Sequence, residues 1–249
     1  MADDLQPDQD LTLSLHRVSA APGDEPDSIR VLLHTSRGDI TGVLHPVEGG
    51  TGAVIFVGGA MGGLDGPADK LYQRLSPILQ QTGTTSLRLH YRLPTDVEEC
   101  VLDVLAGCSF LKGIGASDIV LVGHSFGAAV VVKAAPLHGL VRAVASLSPQ
   151  LYGTRQVEDL RLPLLLVHGA ADSVIESEAS EDIYRRALEP KRLVLYGDTG
   201  HSLMQARANL TRLLCDWIPA RLRQEPMETG RSEEWPDEPD LNPGPPRFP

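Results

Sequence analysis

Cysteines, aromatic side chains and basic residues are all scarce in this chain of 249 residues. Its cysteines, Cys100, Cys108 and Cys215, are odd in number and follow no framework spacing. Cys100 and Cys108 fall in one predicted helix, roughly 12 Å apart along its axis, too far to bridge. They read as thiols buried as small hydrophobes in a reducing compartment, and the expected location is cytoplasmic. Phe, Trp and Tyr amount to 4% against 42% hydrophobic residues overall, so the core must be built from Leu, Val, Ala and Ile, which suits a parallel sheet covered by helices. Lys and Arg number 22 against 33 Asp and Glu, a formal charge of −11. A nucleic-acid or anionic-membrane partner needs clustered cations, so neither is expected. Much of that net charge lies in the two tails. The start, Met1-Ala2-Asp3-Asp4, lacks the basic residues and apolar stretch of a leader, and no uninterrupted apolar run approaches membrane-spanning length. No His/Cys/Asp cluster has ligand spacing, and Gly58 to Gly63 is not followed by Gly-Lys-Ser/Thr, so neither a metal nor a cofactor is expected.

What is present centres on Val120-Leu121-Val122-Gly123-His124-Ser125-Phe126-Gly127-Ala128-Ala129. An apolar run stops at a glycine-bracketed serine and resumes as a helix former. The spacing G-x-S-x-G suits a sharp strand-to-helix turn, where larger side chains two residues either side of the serine would collide. Such a turn lifts the hydroxyl above the sheet and points the first amides of the next helix at the reacting group.

Along the chain, residues 1–10 are acidic and polar and are expected to be disordered. Alternating stretches at Leu11-Leu13-Leu15, Ile29 to Leu33 and Asp39 to Leu44, separated by turns at 21–24 and 37–38, read as an antiparallel meander at the sheet edge. Ala53 to Val57 is continuously apolar, as a strand buried on both faces should be. Helices and strands then alternate: a helix over Pro67 to Gln81, a strand over Thr85 to His90, a helix from Val97 to near Gly113, and a strand over Ile119 to Val122. They continue with a helix from Phe126 to about Ala135, strands at Val141 to Ser148 and Leu164 to His168, a helix over Ser177 to Leu188, a strand at Leu193 to Tyr196 and a last helix from Leu203 to about Leu222. Such alternation gives right-handed crossovers and a mostly parallel sheet, here of about eight strands with helices on both faces. The length suits one domain, residues 11–224. The segment 225–249, rich in proline and acid, has too little apolar surface to offset its ordering entropy and is expected to be disordered.

The elbow, the glycine-rich loop and two later loops resemble the α/β-hydrolase family from about Ile29 to Leu222. The resemblance implies an α/β-hydrolase fold with a nucleophile, an acid and a base in the order Ser, Asp or Glu, His. Ser125 stands as nucleophile. His201, in Asp198-Thr199-Gly200-His201-Ser202, matches the family's Gly-His loop after the last strand and stands as base. Asp172, in His168-Gly169-Ala170-Ala171-Asp172-Ser173-Val174, matches a His-Gly-x-x-Asp-x-x-Val segment and stands as acid, with Asp198 the alternative. Gly58-Gly59-Ala60 occupies the place of the family's His-Gly-x, with glycine for histidine. It implies that the Ala60 amide, or failing that Met61, shares an oxyanion hole with the amide of Phe126. His168 reads as part of a His-Gly turn, His124 as pointing away from the site, and Arg92 as a brace for its loop.

The link between the strands ending near Ser148 and starting near Leu164 is too short for a helical cap, so an open site is expected. Within the family the chain most resembles the small capless hydrolases related to dienelactone hydrolase, with serine in place of that enzyme's cysteine. The implied function is a serine hydrolase cleaving a small-molecule carboxylic ester or thioester through an acyl-enzyme. The alternative is a hydrolase-fold binding protein for a ligand or partner.

Overall fold

The continuous apolar runs at 53–57, 119–122 and 164–167 form strands inside the sheet, and the alternating stretches before residue 45 form one edge of it. The computed structural model describes residues 11–235. Its strands are β1 (Leu15–Pro22), β2 (Ile29–Thr35), β3 (Gly38–His45), β4 (Gly52–Val57), β5 (Thr85–His90), β6 (Asp118–His124), β7 (Val141–Leu147), β8 (Leu164–Gly169), β9 (Lys191–Tyr196) and β10 (Gly230–Glu234). They form one sheet in the order β1-β2-β3-β5-β4-β6-β7-β8-β9-β10. The pairs β1–β2, β2–β3 and β3–β5 are antiparallel, and from β5 to β10 every neighbouring pair is parallel.

Helices α1 (Pro67–Gln81) and α5 (Arg207–Leu222) cover one face; α2 (Val97–Gly113), α3 (Phe126–Ala134) and α4 (Glu178–Arg186) cover the other. Alternate residues of β4 enter the two cores, Val54 and Phe56 on the α1/α5 side, Ile55 and Val57 on the opposite side. An uninterrupted apolar run is therefore what this strand needs. Along 148–163 the only regular element is a 3₁₀ turn, Arg155–Glu158, so no helical cap stands between β7 and β8. Among the described residues no helix is long and apolar enough to cross a membrane.

The sheet corrects the expected architecture at both edges. It has ten strands instead of about eight. The segment after Glu225, expected to lack structure, supplies β10, which pairs in parallel with β9. An edge strand is held by its backbone ladder and needs few apolar side chains, which is why a composition argument misses it. Arg192 also bridges to Glu228 and Glu234, and the Gly197 amide donates to the Glu234 carbonyl at 2.8 Å. Residues 236–249, and residues 1–10 with the disorder expected there, lie outside the described residues. At the other edge β1 starts at Leu15, not Leu11, and runs through Ala21-Pro22, which read as turn. Pro22 ends an edge strand opposite Ile29, a position that tolerates a missing amide.

Two details position the loops above the sheet. The first residues of α1, 68–70, are left-handed, and the Ala68 amide donates to the Ser202 carbonyl at 2.7 Å, tying this turn to the loop after β9. Arg92 braces the turn after β5 as expected: its guanidinium binds the buried carboxylate of Asp103, Glu99 at 2.8 Å and the Arg37 carbonyl at 2.8 Å.

Candidate active site

Between the end of β6 at His124 and the start of α3 at Phe126, Ser125 alone makes the turn. Its φ of 57° and ψ of −117° lie outside the regions L-residues favour, a strain of about 1–3 kcal/mol. The glycines on either side are required sterically. A Cβ at Gly123 would lie 2.1 Å from the Gly127 carbonyl oxygen, and one at Gly127 would lie 2.2 Å from that of Gly58.

The loop after β9 brings His201 to the serine, with Nε2 3.0 Å from Ser125 Oγ. The loop after β8 brings Asp172, whose Oδ2 lies 2.7 Å from His201 Nδ1. A carboxylate on Nδ1 places the ring proton there, leaving Nε2 free to accept from the serine hydroxyl. Oδ1 of Asp172 accepts the amides of Val174 at 2.8 Å and Ile175 at 2.9 Å. Burial pushes this carboxyl up, but the Ile175 amide, His201 and the Val174 amide outweigh it and hold it below the usual range. Asp198 takes no part in this arrangement. It lies exposed in the turn after β9, at φ 47°.

Four residues not assigned to the site support it. His168, fully buried at the end of β8, has Nε2 3.1 Å from Asp172 Oδ2 and Nδ1 2.7 Å from Ser180 Oγ. His124 does not point away: its Nε2 donates to the His201 carbonyl at 3.0 Å, and its ring centroid lies 5.0 Å from that of His201. Ser148 Oγ donates to the same carbonyl at 3.2 Å. Burial pushes His124 down to about 4, so it stays neutral at neutral pH. The fourth, His90, accepts the Gly63 amide at 2.8 Å and so props the glycine-rich loop. The sequence signals available were the one-residue offset of His124 from the nucleophile and the four-residue offset of His168 from Asp172.

The glycine-rich loop passes beside the serine, since a Cβ at Gly59 would lie 3.5 Å from that of Ser125. Ala60 and Met61 form its exposed tip, closed by the Gly62 amide on the Gly59 carbonyl at 2.8 Å. Phe126 opens α3, so its amide is among those a helix leaves without an internal partner. Its side chain is buried edge-on against Tyr91. A cleft of about 470 Å³ runs along the Asp172 loop, between Leu151, Ile175 and Ala179. Among the described residues no group of three or more His, Cys, Asp or Glu is placed to hold a metal ion.

A strained serine after a central parallel strand, with histidine and aspartate on the two loops that follow β9 and β8, is the arrangement of the α/β-hydrolase fold, and comparison with solved structures agrees. Dienelactone hydrolase from Anabaena variabilis superposes with a TM-score of 0.70 at 20% identity, over 84% of this chain and 100% of that one. XC6422 from Xanthomonas campestris, described as an α/β serine hydrolase without lid, gives 0.64 at 20% identity over 80% and 99%. Est1E from Butyrivibrio proteoclasticus gives 0.65 at 17% identity over 78% and 99%. The chain has the α/β-hydrolase fold. In sequence, the family described as serine aminopeptidase, S33, matches residues 152–207, the stretch that carries Asp172 and His201. The uncharacterized protein YfhR of Escherichia coli (strain K12) is 55% identical over 40 residues, 16% of this chain and 14% of YfhR, so the match spans a small part of that relative's length.

Proposed function

We propose that this chain is a serine hydrolase that cleaves a small-molecule carboxylic ester or thioester through an acyl-enzyme. The observation that carries the reading is the continuous hydrogen-bonded line from Ser125 Oγ to His201 Nε2 (3.0 Å) and from His201 Nδ1 to Asp172 Oδ2 (2.7 Å). In this reading the Ser125 hydroxyl gives its proton to His201 Nε2 as Oγ attacks the carbonyl carbon. Asp172 holds the imidazole in the competent tautomer and stabilises the imidazolium. The oxyanion is met by the amides of Phe126 and Ala60, with Met61 as the alternative second donor; losing one such donor costs about 2.7–4 kcal/mol of barrier. The imidazolium protonates the leaving group, and water, activated by the same base, then releases the acid. The neighbours' names, a dienelactone hydrolase and an esterase domain from a Rhodothermus marinus protein, favour an ester bond as the target. The described cysteines are free, which suits the cytoplasm.

A fluorophosphonate is expected to label Ser125 stoichiometrically, with labelling absent in Ser125→Ala and strongly reduced in His201→Ala. A panel of nitrophenyl esters and acyl thioesters identifies the bond cleaved. A folded wild-type protein that resists the probe and turns over no activated ester overturns the reading in favour of a ligand-binding role.

A further inference from the structure

The carboxylate that holds His201 is shared. Oδ2 of Asp172 faces two imidazoles, His201 Nδ1 at 2.7 Å and His168 Nε2 at 3.1 Å. The tautomer of His168 follows from its partners. Its Nε2 also lies 2.9 Å from the Ile175 carbonyl; a carbonyl and a carboxylate only accept, so Nε2 carries the proton and donates to both. Nδ1 is then bare and accepts from the Ser180 hydroxyl at 2.7 Å. His168 and Ser180 are both fully buried, and α4 supplies Ser180. A proton on Nδ1 would leave two buried acceptors facing a bare nitrogen, a loss of hydrogen bonds in an interior that cannot replace them.

We infer that His168, fixed as the Nε2–H tautomer by the Ile175 carbonyl and the Asp172 carboxylate and held at Nδ1 by Ser180, is a positioning residue that clamps the Asp172 carboxylate and limits the negative charge it offers to His201. This rests on the reading of His201 as the base. Two amides on Oδ1 and two imidazoles on Oδ2 leave the carboxylate little rotational freedom, so His201 Nε2 is held toward Ser125. The second donor on Oδ2 also disperses charge that His201 alone would otherwise face. The ionisable groups facing His201 are Asp172, His124 and, across the carboxylate, His168. Burial pushes His168 below the ordinary histidine range, so it is neutral where the base operates and adds no competing cation.

The test compares His168→Leu with His168→Gln, whose amide restores a donor. In His168→Leu the unshared carboxylate makes His201 bind its proton more tightly. The acid limb of kcat/KM is expected to move up by about half a pH unit, and kcat to fall about tenfold. KM should stay within about twofold, and His168→Gln should return both quantities toward wild type. A folded His168→Leu with an unmoved or lowered acid limb overturns the inference, as does a loss that His168→Gln does not reverse. Should His168→Leu fail to fold, the wild-type protein decides. Long-range ¹H–¹⁵N correlation of the imidazole nitrogens must show His168 protonated at Nε2 at neutral pH, and Ser180→Ala must perturb that signal. A proton on Nδ1 refutes the clamp. If instead Ser125→Ala retains wild-type turnover, the base reading falls by itself, while the nitrogen spectrum still decides the tautomer.

Discussion

At Asp172 the consequence of a single atom exchange follows from who donates to whom. Oδ1 accepts two backbone amides and Oδ2 faces two imidazole nitrogens. In Asp172→Asn the carbonyl oxygen must stay with the amides, so the new NH₂ is turned toward the imidazoles. An NH₂ cannot accept from His201 Nδ1–H; the ring shifts its proton to Nε2 and can no longer take one from Ser125. Turnover is expected to fall by roughly three to four orders of magnitude with the fold retained. Asp198→Asn, in an exposed turn, should change the rate less than about twofold. Steady-state kinetics with circular dichroism on both variants checks the contrast, and equal losses would make the Asp172 assignment wrong. Ser125, Asp172 and His201 could be singled out in the sequence because each lies in a local motif that resembles the α/β-hydrolase family's: the elbow, the His-Gly-x-x-Asp segment and the Gly-His loop. The second imidazole on Asp172 could not be, since the orientation of the His168 ring depends on the Ile175 carbonyl and on Ser180, which lies on a helix that must first pack against β8.

At the level of elements, ion pairs beside β5 join α2 to the β2–β3 turn. Arg92 reaches Asp103 and Glu99 on α2 and the Arg37 carbonyl in the β2–β3 turn, while Arg37 itself pairs with Glu99. Asp103 is fully buried. Burial raises its pKa against the opposing bonds from Arg92, so without the guanidinium the carboxylate has no means of staying charged at low cost. Arg92→Leu is expected to cost about 3–5 kcal/mol, read as a drop in the urea midpoint, whereas the double variant Arg92→Leu/Asp103→Leu should recover part of the loss. A single variant as stable as wild type would contradict this account. Elements that bury apolar side chains were placed by the sequence to within a few residues, and α2 from Val97 to Gly113 is one. β10 was invisible because Gly-Arg-Ser-Glu-Glu carries no such signal and is held by its ladder to β9.

For the molecule as a whole, the histidines that desolvation keeps neutral set the response to acid. His124 protonates only near pH 4 in the folded chain, chiefly because of burial, and His168 and His45 are lowered for the same leading reason. In the unfolded chain each takes a proton near pH 6.5. Between those values the unfolded state binds more protons, so stability is full above about pH 6.5 and is lost as the pH falls toward 4. His124 alone accounts for on the order of 3 kcal/mol. Asp172, whose folded pKa is lowered, adds its loss only below the unfolded carboxyl value near 3.9. Urea midpoints should hold between pH 7.5 and about 6.5 and then fall toward pH 4.5, and the slope of that fall should lessen in His124→Gln. A flat profile would contradict the burial of neutral imidazoles.

The sequence by itself determined the parallel core and the place of the elbow, because both rest on local chemistry. Continuous apolar runs require burial on two faces, and Gly123 and Gly127 admit backbone contacts that no side chain would allow. It determined equally that Ser125, Asp172 and His201 end up on one side of the sheet, since parallel strands direct the loops at their C-terminal ends to the same edge. Tertiary structure decided what surrounds them. His124 lies next to the nucleophile in sequence, yet its partner is the carbonyl of His201 across the sheet's upper edge. The ring of Trp235 rests on Gly197, in the turn that leads to His201. These contacts join residues far apart in the chain through backbone groups that every residue carries. No pattern of side chains announces them, and only the packed arrangement of strands selects which carbonyl meets which donor.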